Sequence, residues 1–282
     1  MDAKLILIEG LPGSGKSTTA KIAKGILAEK GFSAELFLEG DFNHPADYEG
    51  AAFLSKEEYA SILKEEISDL QGYSSQKEGG WVVHYKKMME AKLFPKELSE
   101  HLSKKDIYEL PFKQHVRLIT QKWQGFTAKA LNEDKIYIFE CCFIQNPVTT
   151  GMVKHGEANE AVLNYIDELA TIIEPLNPLL IYVDQQDIER SFKKAIQERP
   201  SEWYEGFNHY YTSQGYGLKN GVHGLEGTLA VLKARKELEK KIFESLNIKK
   251  VKLDNSLFNQ ENHKERLSGI LNEALNTPFT LS

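Results

Sequence analysis

Short apolar runs alternate along the chain with longer segments in which apolar residues recur every three or four positions. The runs predict five strands, at residues 4–9, 34–39, 135–140, 179–184 and 249–253. Short, nearly uninterrupted apolar strands are typical of parallel sheets that are covered on both faces. The pattern therefore predicts an α/β fold in three layers, with a five-stranded, mostly parallel sheet flanked by helices.

Helical patterns fill most of the sequence between these strands. They extend over residues 15–30, 111–132, 157–174, 188–198, 201–212, 226–246 and 260–274. Residues 56–109 form a long region with mostly helical patterns, and within it residues 81–85 are either a short strand or a loop. The five glycines of residues 213–227 predict a flexible loop. We therefore expect one domain of residues 1–282, with a mostly helical insertion at about 41–110 and a lid region at about 185–227.

Composition narrows the class of protein. The chain has 282 residues and a formal net charge of −6, which argues against general nucleic-acid binding because that usually needs a basic face. It has no apolar run of about 18 residues and no signal-peptide pattern, so we expect neither a membrane span nor a membrane partner. The adjacent Cys141 and Cys142 read as free thiols, so we expect a cytoplasmic protein.

Residues 10–17 read Gly-Leu-Pro-Gly-Ser-Gly-Lys-Ser, which fits the phosphate-binding P-loop pattern between a predicted strand and a predicted helix. Backbone N–H groups of such a loop point at an anion, and the helix N-terminus adds partial positive charge. Lys16 is expected to reach the β and γ phosphates and Ser17 to hold Mg²⁺. Pro12 has no N–H, so the cradle begins at Gly13. The predicted nucleotide-binding residues here are Gly10, Pro12, Gly13, Ser14, Gly15, Lys16, Ser17 and Thr18.

Two acidic residues end predicted strands, and they are alternative candidates for the carboxylate of the site. A P-loop enzyme needs a carboxylate close to the metal and the γ-phosphate, either to organise the metal or to accept a proton. Glu140 and Asp184 each follow four apolar residues. We favour Glu140, as the catalytic base or the metal-organising acid. Asp184 is less favoured because a helix start follows it, with Asp187 as the natural N-cap. Asp184 remains the open alternative.

Candidate acceptor-binding residues lie after the second strand and on the long helix before the third. Glu39 and Asp41 are predicted to bind a hydroxyl-bearing substrate, and Arg117 to line the same pocket. The alternative for Asp41 is a turn in which its side chain caps the backbone near Asn43. His44 is read as a structural hydrogen-bonding residue.

The predicted helix after the fourth strand is basic. Arg190 is expected to stabilise the transferring phosphoryl group, and Arg199 to contact the nucleotide, since a guanidinium binds phosphate in bidentate fashion. Lys193 and Lys194 are read as part of a solvated helix face. A row of aromatic residues follows and is expected chiefly to pack the lid: Trp203, Tyr204, Phe207, Tyr210 and Tyr211.

These motifs together resemble those of small-molecule and nucleoside kinases of the P-loop superfamily. Residues 10–17 are similar to the loop of adenylate kinase-like and gluconate kinase-like enzymes, and residues 181–194 resemble the strand-to-lid stretch of thymidylate and deoxynucleoside kinases. In those families the arginine that matches Arg190 lies over the nucleotide phosphates or base.

The acid at the end of the third strand carries a second part of the resemblance. Glu140 falls where deoxynucleoside kinases have a Glu-Arg-Ser motif, which implies that Glu140 is the base. Cys141 and Cys142 take the places of the Arg and Ser of that motif.

The sequence therefore predicts an ATP- and Mg²⁺-dependent kinase that transfers the γ-phosphoryl group to the hydroxyl of a small molecule. Lys16, Glu140 and Arg190 are the predicted catalytic residues, and Ser17 and Glu140 the predicted metal ligands. The resemblance leaves a homodimer open. The main alternative is a nucleotide-binding regulatory ATPase without a small-molecule acceptor, and a P-loop-like sulfotransferase is a third hypothesis.

Overall fold

The computed structural model describes residues 3–64, 69–91 and 96–276. The chain divides into two compact units. The nucleotide unit, as we name it, comprises residues 1–39 and 123–282, and the insertion unit comprises residues 40–122. The strands are β1 Leu5–Glu9, β2 Ala34–Phe37, β3 Ala52–Leu54, β4 Ser74–Lys77, β5 Gly80–Val83, β6 Ile136–Glu140, β7 Leu179–Asp184 and β8 Lys249–Asp254.

Helices connect these strands. The α-helices are α1 Lys16–Glu29, α2 Lys56–Leu63, α3 Tyr85–Glu90, α4 Lys96–Ser103, α5 Phe112–Ala130, α6 Gln145–Val148, α7 Asn159–Ile173, α8 Ile188–Gln197, α9 Ser201–Thr212, α10 Gly215–Lys219, α11 Gly224–Ser245 and α12 Gln260–Asn276. A π-helix, Thr149–His155, follows α6 directly. Among the described residues no helix combines the length and apolar character that a membrane span needs.

The nucleotide unit is built on a five-stranded sheet in the order β2-β6-β1-β7-β8, and all four pairings are parallel. The predicted α/β fold with helices on both sides of a five-stranded sheet is thus confirmed. Alternate strand residues face opposite layers, as the pleat requires. Ile6 and Ile138 pack with α1 and α12 around Ala20 and Leu267.

The opposite face of this sheet is more aromatic. The ring of Phe139 lies 5.7 Å from that of Trp123 on α5, and the ring of Tyr182 lies 6.0 Å from that of Phe243 on α11. Both faces of the sheet are therefore covered, which explains why its strands lack the polar alternation of a half-exposed sheet.

The insertion unit contains the helices expected for its sequence and also a three-stranded antiparallel sheet, in the order β3-β5-β4, which the sequence analysis did not anticipate. Strands β4 and β5 form a hairpin whose two-residue turn ends at Gly79, with a φ of 84°. The strand alternative for residues 81–85 is correct, since β5 covers Gly80–Val83. Trp81 stacks on Tyr59 of α2 with ring centroids 4.3 Å apart.

The prediction of a flexible loop at residues 213–227 is wrong. The segment contains α10 and the first turn of α11. Gly217 is helical and packed so closely that a Cβ there would lie 2.1 Å from the carbonyl oxygen of Tyr211. Gly215, Gly217 and Gly227 therefore permit close packing, a role that composition does not distinguish from flexibility.

Candidate functional site

The P-loop follows β1 and leads into α1, as predicted. Gly10, Gly13 and Gly15 have φ values of 145°, 83° and 97°, a region that residues with side chains rarely adopt. A Cβ on Gly10 would lie 2.5 Å from the carbonyl oxygen of Val183, and one on Gly13 would lie 3.2 Å from the Cβ of Ala195. The glycines thus let the loop pass close to the end of β7 and to α8.

Lys16 lies inside the loop and is only 5% exposed. Its Nζ donates a hydrogen bond to the carbonyl oxygen of Leu11 at 3.0 Å. Burial alone lowers the pKa of Lys16, but the neighbouring carboxylates of Glu39 and Glu140 raise it, and the net result is a pKa above the ordinary value. Lys16 is therefore a charged ammonium group held beside the loop backbone.

Glu140, at the end of β6, bridges the P-loop and Glu39, which lies two residues beyond β2. Its Oε1 accepts a hydrogen bond from the Ser17 hydroxyl at 2.6 Å, and its Oε2 accepts one from the backbone N–H of Glu39 at 3.3 Å. Parallel strands end at the same edge of a sheet, so β1 and β6 place these groups together. Asp184 instead forms an ion pair with Lys236 at 3.3 Å. The geometry supports Glu140 over Asp184.

A compact group of potential metal ligands surrounds Glu140. One ligand atom each of Glu39, Glu140 and Cys141 lie within 4.8 Å of one another. Carboxylate and hydroxyl oxygens are the ligands that Mg²⁺ prefers, so Glu140 and Ser17 fit this ion. Burial raises the pKa of the Cys141 thiol well above its ordinary value, and the protonated thiol donates to Glu39 Oε2 at 3.5 Å. The Cys141 thiol therefore helps to orient Glu39.

The P-loop opens into a cavity of about 800 Å³. Its wall includes the loop residues Pro12, Gly13, Gly15, Lys16, Ser17 and Thr18, the polar residues Glu39, Glu140, Gln145, Thr149, Asn255, Gln260 and His263, the cations Lys194 and Arg199, and the aromatic residues Trp203, Phe207, Tyr210, Tyr211 and Phe258. A volume of this size is typical of sites for ligands the size of a drug molecule or cofactor.

The structure corrects the assignment of the basic residues. Arg190 is exposed near the start of α8, and it lines a surface depression with Lys193 rather than the P-loop cavity. The reason is that Gly13 packs against Ala195, five residues beyond Arg190 and on a different side of the helix, so the cavity meets the later part of α8. Lys194, read above as solvated, lines the cavity, as does Arg199.

Both cavity cations rest on aromatic rings. The Arg199 guanidinium lies 4.2 Å from the ring centroid of Trp203, and Lys194 Nζ lies 4.5 Å from that of Phe258.

Asp187 is the N-cap of α8, as predicted, and its Oδ1 accepts a hydrogen bond from the backbone N–H of Arg190 at 2.9 Å.

The aromatic row on α9 serves both packing and the cavity. Phe207 stacks on Tyr211 with centroids 4.0 Å apart, and it also contacts Phe192 and Trp203 in the core below α9. Trp203, Phe207, Tyr210 and Tyr211 nevertheless line the cavity as well. The prediction that these residues mainly pack the lid captures only one of their two roles.

A buried ionic network supports the wall of the cavity, and the sequence analysis missed it. Arg235 and Glu239, both fully buried on α11, are joined by a 2.6 Å contact between Arg235 Nε and Glu239 Oε1. The Arg235 guanidinium also donates to the Tyr211 hydroxyl, to Thr149 Oγ1 and to the carbonyl oxygen of Gln145. Three lining residues are thus held by one arginine. Its i, i+4 spacing to Glu239 resembles an ordinary surface pair, so only the structure distinguishes it.

Glu9, the last residue of β1, is a second residue that the sequence analysis missed. It is fully buried, and its two carboxylate oxygens accept from the backbone N–H groups of Phe143 and Gln145, each at 2.8 Å. Burial, with a further contribution from Glu239, raises the pKa of Glu9 to about 7 against these hydrogen bonds. Glu9 therefore anchors the loop from which Gln145 Nε2 reaches Glu39 Oε1 at 3.0 Å.

The remaining predicted residues belong to the insertion unit. Asp41 Oδ1 accepts from the backbone N–H of Asn43 at 2.8 Å, which is the turn proposed as its structural alternative. Arg117 is exposed on α5. His44 is buried, its Nδ1 accepts from the backbone N–H of Ala46, and burial lowers its pKa to about 3. His44 is thus the structural residue that the sequence indicated.

Comparison with known proteins adds a likeness of fold. The chain is similar to a thymidylate kinase. That enzyme, from Candida albicans, is 14% identical, with a TM-score of 0.45, and the match covers 100% of this chain and 96% of that one. No protein-family model and no curated protein matches the sequence. At this identity the likeness concerns the fold and says nothing about the substrate.

Proposed function

We propose that this protein is an ATP- and Mg²⁺-dependent phosphotransferase that moves the γ-phosphoryl group to the hydroxyl of a small molecule. The observation that carries the proposal is the 2.6 Å hydrogen bond between Ser17 of the P-loop and Glu140 at the neighbouring strand end. It places a hydroxyl and a carboxylate together beside a buried, charged lysine, within a cavity large enough for a nucleotide.

The P-loop residues bind the donor. Backbone N–H groups from Gly13 onward and the N-terminus of α1 attract the phosphates, and Lys16 neutralises charge on their oxygens. Ser17 and Glu140 would hold the Mg²⁺ ion, which when bound offsets phosphate charge. Arg199 supplies further positive charge at the cavity wall, where Lys194 is paired with Glu198.

The two roles considered for Glu140 then fall to two residues: Glu140 organises the metal, and Glu39 accepts the proton. Both Glu140 oxygens already accept hydrogen bonds, from Ser17 and from the backbone of Glu39, so Glu140 organises the phosphate side. Glu39 is exposed to the cavity and is oriented by Gln145 and Cys141. A carboxylate accepts several hydrogen bonds, so Glu39 retains capacity to hold the acceptor hydroxyl and take its proton.

The experiment is to measure ADP release from ATP and Mg²⁺ across a library of small-molecule alcohols. We expect one class of compound to stimulate release and to appear phosphorylated by mass spectrometry. Lys16→Ala should abolish transfer while the circular dichroism spectrum is kept, and Lys21→Ala, an exposed lysine on α1, is the matched control.

Two outcomes would contradict the proposal. Full transfer activity in Lys16→Ala would remove the P-loop from the mechanism. A basal rate that no alcohol stimulates would instead favour the regulatory ATPase.

A further inference from the structure

The carbonyl oxygen of Ser14, in the middle of the P-loop, accepts two side-chain hydrogen bonds from outside the loop. Asn255 Nδ2 donates to it at 2.8 Å and Gln185 Nε2 at 3.2 Å. We propose that Gln185 and Asn255 are positioning residues that fix the peptide between Ser14 and Gly15 so that the Gly15 N–H faces the phosphates. The inference rests on the proposed function, since it concerns how the same loop holds its ligand.

The planar geometry of the peptide between Ser14 and Gly15 links the direction of the Ser14 carbonyl oxygen to that of the Gly15 N–H. In a trans peptide the C=O and the following N–H point in opposite directions, and every described peptide bond in the chain is trans. Two donors on the Ser14 oxygen therefore also set the direction of the Gly15 N–H. Gly15 lines the cavity, so rotation of this peptide would turn the N–H away from a bound anion and turn a carbonyl oxygen toward it.

The contacts of Gln185 hold its side-chain amide in one orientation. It is 3% exposed, and its Nε2 also donates to the backbone oxygen of Asn255 at 2.9 Å. Its Oε1 accepts from the Ser191 hydroxyl on α8 at 2.8 Å. Because both ends of the amide are engaged, its orientation is fixed, and the same side chain connects the P-loop to the helix that carries Lys194.

Asn255 completes the clamp from the end of β8. Its backbone N–H donates to the carbonyl oxygen of Asp184 at 3.0 Å, which ties it to the neighbouring strand. A Cβ on Gly15 would lie 2.5 Å from Asn255 Nδ2. The asparagine thus packs directly against the peptide that it orients, and a Cβ at position 15 would displace it.

The test uses uncharged substitutions that keep side-chain size and remove the donated hydrogen bonds, Gln185→Met and Asn255→Leu, so that no new charge lies beside the phosphates. Affinity for three probes is measured by titration calorimetry in the presence of Mg²⁺: ATP, inorganic tripolyphosphate and adenosine. Gln186→Ala is the control, because the Gln186 side chain is exposed and bonds to Asp254 rather than to the loop. Melting temperatures are recorded for all variants.

We expect each variant to bind ATP and tripolyphosphate about five- to tenfold more weakly, the size of one lost hydrogen bond, with adenosine affinity unchanged. Loss of packing alone would weaken the probes alike, whereas this pattern requires a defect at the phosphates. Asn255→Leu, at the half-exposed position, tests the clamp if Gln185→Met does not fold.

Unchanged ATP and tripolyphosphate affinity in Asn255→Leu, or an equal loss for adenosine, would overturn the proposal. A wild-type protein that binds neither ATP nor tripolyphosphate would overturn the proposed function itself, and the two failures are thereby distinguished.

Discussion

Replacement of Glu9 by glutamine is predicted to change how the stability of the protein depends on pH. Glu9 is fully buried with a pKa of about 7, against an ordinary value of 4.5. Between these two values the folded protein keeps the Glu9 proton and the unfolded chain releases it. The free energy of unfolding therefore falls as pH rises through this window, and the shift corresponds to about 3 kcal/mol.

The glutamine side chain of the Glu9→Gln variant does not ionise, so this fall is absent from it. The buried histidines have lowered pKa values and change stability in the opposite direction, but they do so equally in both proteins. The difference in unfolding free energy between Glu9→Gln and wild type should therefore shift by about 3 kcal/mol in favour of the variant as the pH rises from below about 4.5 to above about 7.

Urea unfolding, followed by circular dichroism at half-unit steps of pH, measures this difference. Glu168→Gln, at an exposed position on α7, is the control and should give a curve parallel to that of the wild type. If the curves of Glu9→Gln and wild type also ran parallel across the window, Glu9 would titrate normally and the reasoning from its burial would be refuted.

Two further predictions concern the supports of the site. Arg235→Met should destabilise the protein by about 3–5 kcal/mol in urea unfolding, because it leaves the buried carboxylate of Glu239 without its partner, and the double variant Arg235→Met with Glu239→Leu should recover part of that loss. An Arg235→Met variant whose free energy of unfolding lies within about 1 kcal/mol of the wild-type value would contradict the stabilising role of this network. Gly15→Ala should abolish ATP binding, because its Cβ would meet Asn255 at 2.5 Å at a φ of 97°, whereas Gly25→Ala, where a Cβ meets nothing within 4 Å, should bind normally. Equal ATP affinity in these two glycine variants would show that the loop tolerates a side chain.

Hydrophobic patterning predicts much of the nucleotide unit because its strands are buried on both faces and its P-loop motif is local. The bounds of β7 and α9 agree with the predicted ranges, residues 179–184 and 201–212. The insertion unit was harder to predict, since strands of three or four residues, such as β3, are too short to display a period.

The residues of the candidate site were likewise predictable only in part. Lys16, Ser17 and Glu140 could be found from a motif and from the rule that ligands bind at the carboxyl ends of parallel strands. Arg235 could not, because its four hydrogen-bond partners are distributed over positions 145–239 and its spacing to Glu239 is that of any helical surface pair. The sequence favours Arg190 over Lys194 because a guanidinium binds phosphate in bidentate fashion, but it does not show which turn of the basic helix the P-loop contacts.

The most direct test of the central claim is the effect of Mg²⁺ on ATP affinity in wild type, Ser17→Ala and Glu140→Gln, measured by titration calorimetry with and without the ion. The account predicts that Mg²⁺ strengthens ATP binding in the wild type and that both variants lose most of this gain, because they remove the hydroxyl and the carboxylate that lie 2.6 Å apart. A gain from Mg²⁺ that is undiminished in both variants would contradict the assignment of this pair as the metal-organising centre of a phosphotransferase.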